Sequence, residues 1–269
     1  MIKSHGRVLI IAGSDSGGGA GIQADIKSVT ALGGFAMTAV TAITAQNTLG
    51  VSGVHPIPIE MVRAQIDAVM DDLGADAWKT GMLGSVEMVE TVAAAIDSRA
   101  ADALVVVDPV MVAKGGHPLL EGSAVAAMRS LMVPRADLIT PNAPEAARLV
   151  GFEVEDVEGQ LRAGAALLAL GAKAALVKGG HIAGPFVRDL LMTHDGPQWF
   201  ESERIVTRST HGTGCTLASA AATGLAQGLG MSAAVDRARR YLLAALLAAP
   251  DLGKGHGPIG HGVTVTPFE

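Results

Sequence analysis

Short, continuously apolar runs rich in β-branched residues alternate along the chain with longer stretches whose apolar positions recur at helical spacing. The pattern predicts strands over 8–12, 38–45, 75–79, 104–108, 138–140 and 174–178. Between them it predicts helices over 21–32, 59–73, 85–96 and 157–170, and a further helix after Leu119. Residues 188–193 and 198–206 read as a hairpin turning at Asp195, Gly196 and Pro197, and helices over 215–227 and 232–249 follow. Uniformly apolar strands separated by helices predict a mainly parallel central sheet covered on both faces, a three-layer α/β/α architecture. No linker-like stretch or internal repeat interrupts the pattern, so 1–269 is read as one domain.

Composition narrows the classes. The chain is 49% hydrophobic with only 3% aromatic residues, so its core must be built from Ala, Val, Leu, Ile and Met. A net charge of −6 leaves no basic footprint for nucleic acid or an anionic membrane. The single cysteine excludes an internal disulfide and a multi-cysteine metal site. No run approaches the ~18 uninterrupted apolar residues of a membrane span, and the N-terminus lacks a signal-peptide layout. A cytoplasmic protein is the expectation.

In a parallel sheet, sites form beyond the carboxyl ends of the strands. The polar and glycine-rich residues fall at those exits: Gly13 to Gly21, Gln46, Lys79 to Met82, Asp108, Thr140 to Asn142, and Lys178 to Gly180. The first glycine loop fails strict G-x-G-x-x-G and has no acidic residue closing a second strand, and no P-loop is present. It serves either as a turn or as backbone that closes over a small ligand. Asn142, Pro144 and Glu145 resemble a capping box, a role compatible with Glu145 facing a metal–phosphate site. Asp25 would complement a helix N-terminus, Met82 would fill the core, and Gln46 would satisfy backbone groups, unless each faces a ligand.

The lone cysteine, Cys215, ends Ser209-Thr210-His211-Gly212-Thr213-Gly214-Cys215 just before an apolar helical run. Glycines and a helix start converge N–H groups on one point, which suits an anion and should make a thiol more acidic. A cysteine hydrolase would need a histidine against the thiol, and nothing sets His211 there. A helix start, a carboxylate beside an Asn and a Lys-Gly-Gly exit fit phosphoryl transfer better, since that reaction needs anion neutralisation and positioning.

Seven segments carry a family resemblance: Ala12-Gly-Ser-Asp-Ser-Gly-Gly-Gly-Ala-Gly-Ile-Gln-Ala-Asp25, Thr44-Ala-Gln-Asn-Thr48, Lys79-Thr-Gly-Met-Leu83, Asp108-Pro-Val-Met111, Thr140-Pro-Asn-Ala-Pro-Glu145, Lys178-Gly-Gly-His181 and Thr210-His-Gly-Thr-Gly-Cys215. In this order they resemble the hydroxymethylpyrimidine/phosphomethylpyrimidine kinases of thiamine biosynthesis, a branch of the ribokinase-like α/β kinases. The resemblance implies Mg2+ and ATP as phosphoryl donor, and commonly a homodimer. It implies a pyrimidine pocket of Gly13, Asp25, Gln46, Met82 and Val110, with Gln46 and Asp25 making hydrogen bonds. Asn142 and Glu145 would hold Mg2+ and nucleotide phosphates with help from Asp108. Lys178 and Gly180 would lie along the nucleotide, with Thr210 and Thr213 beside them, and Gly212, Gly214 and Cys215 would form the anion hole. Cys215 stands where most ribokinase-like enzymes carry an aspartate base. The family's C-terminal Gly-His-Gly-Pro-x-Asn-His is Gly255-His-Gly-Pro-Ile-Gly-His261 here, with Gly260 replacing asparagine. The expected reaction phosphorylates 4-amino-5-hydroxymethyl-2-methylpyrimidine twice. The alternatives are pyridoxal kinase activity and a non-catalytic sensor of the vitamin precursor.

Overall fold

The computed structural model describes residues 5–111 and 122–266. The helix expected after Leu119 begins outside them, and its described part is α4 (Gly122–Ala127).

The elements follow the apolar pattern closely. β1 (Arg7–Ala12) leads through the glycine loop to α1 (Gly21–Ala31). β2 (Phe35–Val40), β3 (Ala42–Asn47) and β4 (Gly50–Pro56) precede α2 (Ile59–Asp72). β5 (Ala77–Thr80), α3 (Val86–Arg99) and β6 (Leu104–Val107) come next. Beyond α4 lie β7 (Leu138–Ile139), α5 (Ala143–Val150), α6 (Val157–Ala169) and β8 (Ala174–Val177). The chain closes with β9 (Phe186–Thr193), β10 (Gly196–Glu203), α7 (Thr213–Ala226) and α8 (Met231–Leu247).

Eight strands form the main sheet in the order β10-β9-β8-β7-β6-β5-β1-β2. All neighbours are parallel except those made by β9, which runs antiparallel to both β8 and β10. Successive side chains point to opposite faces of a strand, and β1 uses both faces. Leu9 and Ile11 join the core beneath α2 and α3, whereas Val8 and Ile10 join the one beneath α7 and α8. The expected three layers result. Helix α7 is buried from Thr216 to Ala226, so its small residues let sheet and α8 approach closely. A Cβ on Gly224 would sit 2.9 Å from that of Ala234.

Two expectations need correction. The strand expected over 38–45 breaks at Thr41, whose hydroxyl donates to the Met82 carbonyl. β2 stays in the main sheet, while β3 pairs antiparallel with β4 in a separate two-stranded sheet. The hairpin does not turn at Asp195–Pro197: Thr193 pairs with Gly196, leaving His194 and Asp195 as the turn. Pro197 is tolerated inside β10 because that strand is the sheet edge, where a missing N–H costs no ladder bond.

Candidate active site

The carboxyl ends of β1, β5, β6 and β8 open on one cavity of about 390 Å3, which the start of α7 also borders. Gly13, Gln46, Met82 and Val110 are among its lining residues. Gly13 has no room for a side chain, since a Cβ would lie 2.3 Å from the Met82 methyl group. The glycine loop folds around Asp15, which is 1% exposed and accepts from the amides of Gly17, Gly19 and Ala20 at 2.8, 3.1 and 2.8 Å. The second oxygen also meets His211 Nε2 at 2.7 Å. His211 thus joins the first glycine loop to the cysteine loop, with its Nε2 committed to Asp15.

Asp25 corrects an expectation. It is fully buried, with Lys79 Nζ 2.9 Å from each of its oxygens and the Ser219 hydroxyl donating at 2.6 Å. The carboxylate is committed beneath the cavity wall, and Lys79 borders the cavity in its place. Burial alone would lower the Lys79 ammonium. The Asp25 carboxylate, with Cys215 and Asp108 nearby, outweighs this and keeps it above the usual lysine range.

Where Asp108 and Lys178 line the cavity, Lys178 donates to Asp108 at 3.3 Å, and Thr140 donates to the same oxygen at 3.1 Å. Asn142 and Lys178 form a parallel bridge between neighbouring strand exits. The capping box is present, with Asn142 Oδ1 accepting from the Glu145 amide at 2.9 Å and Glu145 Oε2 accepting from the Asn142 amide at 2.8 Å. Glu145 therefore lies behind the wall, while Asn142 and Asp108 form part of it. Burial pushes the Glu145 carboxyl up to about 7, with Asp108 adding to the rise against Lys178 and two backbone amides.

Helix α7 begins at Thr213, two residues before the expected start, and its first residues, whose N–H groups have no partner within the helix, border the cavity. Its cap, Gly212, has φ +79°, and a Cβ there would lie 1.8 Å from the Gly19 carbonyl oxygen. Gly214 has the Lys178 ammonium 3.3 Å from where its Cβ would stand. Thr210, Thr213 and Gly180 border the same space, and the Thr213 hydroxyl donates to the Thr210 carbonyl at 3.2 Å. Cys215 lines the same cavity, close to Lys79, Asp108 and the Gly21 amide. Its thiol is not acidified as its place in the sequence suggested. Burial pushes it up to about 12, with Asp25 and Asp108 adding to the rise, against the pull of Lys79 and the Gly21 amide.

The C-terminal strap packs onto this assembly. The His211 amide donates to the Gly257 carbonyl at 3.1 Å, and the Gly260 amide to Ala245 at 2.8 Å. A Cβ at Gly260 would lie 2.2 Å from the Ala248 carbonyl oxygen, so this chain has no room for an asparagine in that conformation. Lys79 and Asp15 carried no sequence assignment. A lone lysine closing a buried strand was the available signal for the first.

The family described as Phosphomethylpyrimidine kinase matches residues 15–260. The chain belongs to that family. The hydroxymethylpyrimidine/phosphomethylpyrimidine kinase of Streptomyces coelicolor is 51% identical over 255 residues, which cover 95% of this chain and 94% of that relative. The thiamine biosynthesis bifunctional protein ThiED of Geobacter sulfurreducens is 50% identical over 257 residues, 96% of this chain, but this chain spans only 52% of its length. Among solved structures, an ADP complex of Bacillus subtilis pyridoxal kinase superposes with a TM-score of 0.90 at 37% identity, covering 97% of this chain and 98% of that one. The phosphomethylpyrimidine kinase family and this neighbour share the ribokinase-like fold of the chain.

Proposed function

We propose that this chain transfers the γ-phosphoryl group of ATP to the hydroxymethyl group of 4-amino-5-hydroxymethyl-2-methylpyrimidine, and then phosphorylates the monophosphate to the diphosphate. The observation that carries this reading is that Cys215, at the start of α7, lines one cavity together with Gln46 and Met82 and with Lys178 and Asp108. An acceptor bound against Gln46 and Met82 would offer its alcohol to a phosphoryl group held by Lys178. The names of the family and of its close relatives supply the substrate.

Each residue then has a task. Gln46 reads the ring edge and Met82 packs on its face. Lys178, Asn142 and the amides of residues 212–215 hold the phosphates. Cys215 takes the alcohol proton in its thiolate form, which Lys79 and the Gly21 amide favour against burial and the carboxylates of Asp25 and Asp108.

The donor set fits Mg2+ brought in with the nucleotide. Among the described residues no group of three or more His, Cys, Asp or Glu converges as a metal cage, and Mg2+ with a nucleotide usually needs only one or two carboxylates. Asp108 lines the cavity and would supply one, with Glu145 just behind the wall. Bound there, the ion would neutralise phosphate charge during transfer.

We also infer a homodimer, for which the separate β3–β4 sheet, with Ile43, Leu49 and Val54 exposed, offers an apolar surface. Sedimentation equilibrium reads the mass directly. No helix among the described residues is long and apolar enough to cross a membrane, which agrees with a cytoplasmic role.

The likeness to a pyridoxal kinase makes pyridoxal the rival acceptor. Turnover of both alcohols side by side decides, and kcat/KM should favour the pyrimidine. A preference for pyridoxal would reverse the assignment.

A further inference from the structure

One side chain organises the loop that joins β8 to β9 and brings Gly180 to the cavity. Arg204 follows β10 directly. Its Nη1 donates to the Gly180 carbonyl at 2.9 Å, its Nη2 to Ile182 at 2.5 Å and its Nε to Gly184 at 2.8 Å. Its own amide donates to the Pro185 carbonyl at 2.8 Å, and the Ile182 amide closes on Gly179 at 3.0 Å. The loop is wrapped around a guanidinium. Only a planar fork of several N–H groups can reach three diverging carbonyls, since an ammonium is a single point. All these side-chain partners are carbonyls, and among the described residues no carboxylate pairs with the guanidinium.

The start of the loop is fixed separately. The Gly179 amide donates to Asp189 Oδ1 at 2.8 Å, and Arg239 Nε donates to Asp189 Oδ2 at 2.7 Å. A Cβ on Gly179 would lie 2.0 Å from the Arg188 carbonyl oxygen, so the backbone is seated directly on β9. Arg204 borders the cavity at the end where Lys178 and Gly180 lie.

We propose that Arg204 is a positioning residue for the phosphoryl donor. It holds residues 180–184 in the shape against which the nucleotide lies, and its un-neutralised charge favours a polyanion there. The inference rests on the ATP-dependent reading above. It is independent of which alcohol is the acceptor.

Calorimetric titration with ADP plus magnesium chloride tests it on wild type, Arg204→Ala and Arg204→Lys, alongside steady-state kinetics and thermal melts. In both variants the ADP dissociation constant and the KM for ATP should rise roughly tenfold or more, with the KM for the pyrimidine alcohol within about twofold of wild type. Arg204→Lys keeps the charge but loses the fork, so it should not restore binding. Wild-type ADP affinity in Arg204→Lys overturns the proposal. So does a parallel rise of both KM values with a lower melting temperature, which is what a purely structural role gives. Should Arg204→Ala not fold, the same KM comparison on Arg204→Lys decides. Wild type that binds no ADP removes this inference together with the functional reading. Tight wild-type binding unchanged in the variants removes this inference alone.

Discussion

The ammonium of Lys79 lies 2.9 Å from both carboxylate oxygens of Asp25, and neither side chain is exposed to solvent. A buried charge left alone is far more costly than a buried pair. Lys79→Met should therefore destabilise the fold by ~3–5 kcal/mol in urea unfolding, because it strands the Asp25 carboxylate. The double variant Lys79→Met/Asp25→Leu should recover most of that loss. If the double variant is as unstable as the sum of the singles, the two residues do not act as a pair.

Gly212 meets Gly19 backbone to backbone. Its left-handed φ costs a side-chain-bearing residue ~1–3 kcal/mol, and the contact with the Gly19 carbonyl adds to that. Gly212→Ala should push the two loops apart and lower kcat by on the order of 10²-fold, since small displacements of positioning groups have effects of that size. Near-normal turnover in this variant would mean that the loop contact does not set the anion hole.

The strands and helices were legible because a parallel sheet covered on both faces demands uninterrupted apolar runs, and Leu104 to Val107 or Ala174 to Val177 supply them. The exits were legible because polar and glycine residues crowd there. What escaped depends on partners far apart in sequence. Asp25 reads as a helix-start carboxylate until Lys79, 54 residues away, lies against it. The three carbonyls on Arg204 are likewise invisible before β10 returns beside the β8–β9 loop. Strand β4 escaped for another reason. Its residues are exposed or half-buried throughout, so they carry no alternation that could signal a strand. The raised thiol of Cys215 likewise depends on Asp25 and Asp108, which lie far from it in sequence.

Glu145 should make stability depend on pH. Its carboxyl is raised from an ordinary 4.5 to about 7. The folded state therefore holds a proton that the unfolded chain releases, so this contribution is complete below about 4.5 and is lost as pH rises through about 7. The loss is on the order of 3 kcal/mol at most. Urea midpoints of wild type should fall across that range, and those of Glu145→Gln should fall less. Parallel curves would mean that Glu145 titrates normally. The same variant should need more Mg2+ for turnover; if it only melts earlier, capping is the whole role of Glu145.

The two phosphorylations ask different things of Cys215. An alcohol must lose its proton as it attacks, whereas a phosphate acceptor is already largely ionised near neutral pH. Cys215→Ala should slow the first step by roughly 10²–10⁴-fold and largely spare the second. Equal losses would mean that Cys215 is not chiefly a base. With its thiol near 12, the wild-type first step should keep accelerating into alkaline pH, without a plateau near the usual thiol range. A plateau there would show that bound substrates restore ordinary acidity.

The most direct test counts ADP released by purified protein against the pyrimidine alcohol supplied, with ATP in excess. Two ADP should appear for each alcohol, with the monophosphate forming first and then being consumed. ADP no greater than in the absence of pyrimidine would contradict the proposed activity.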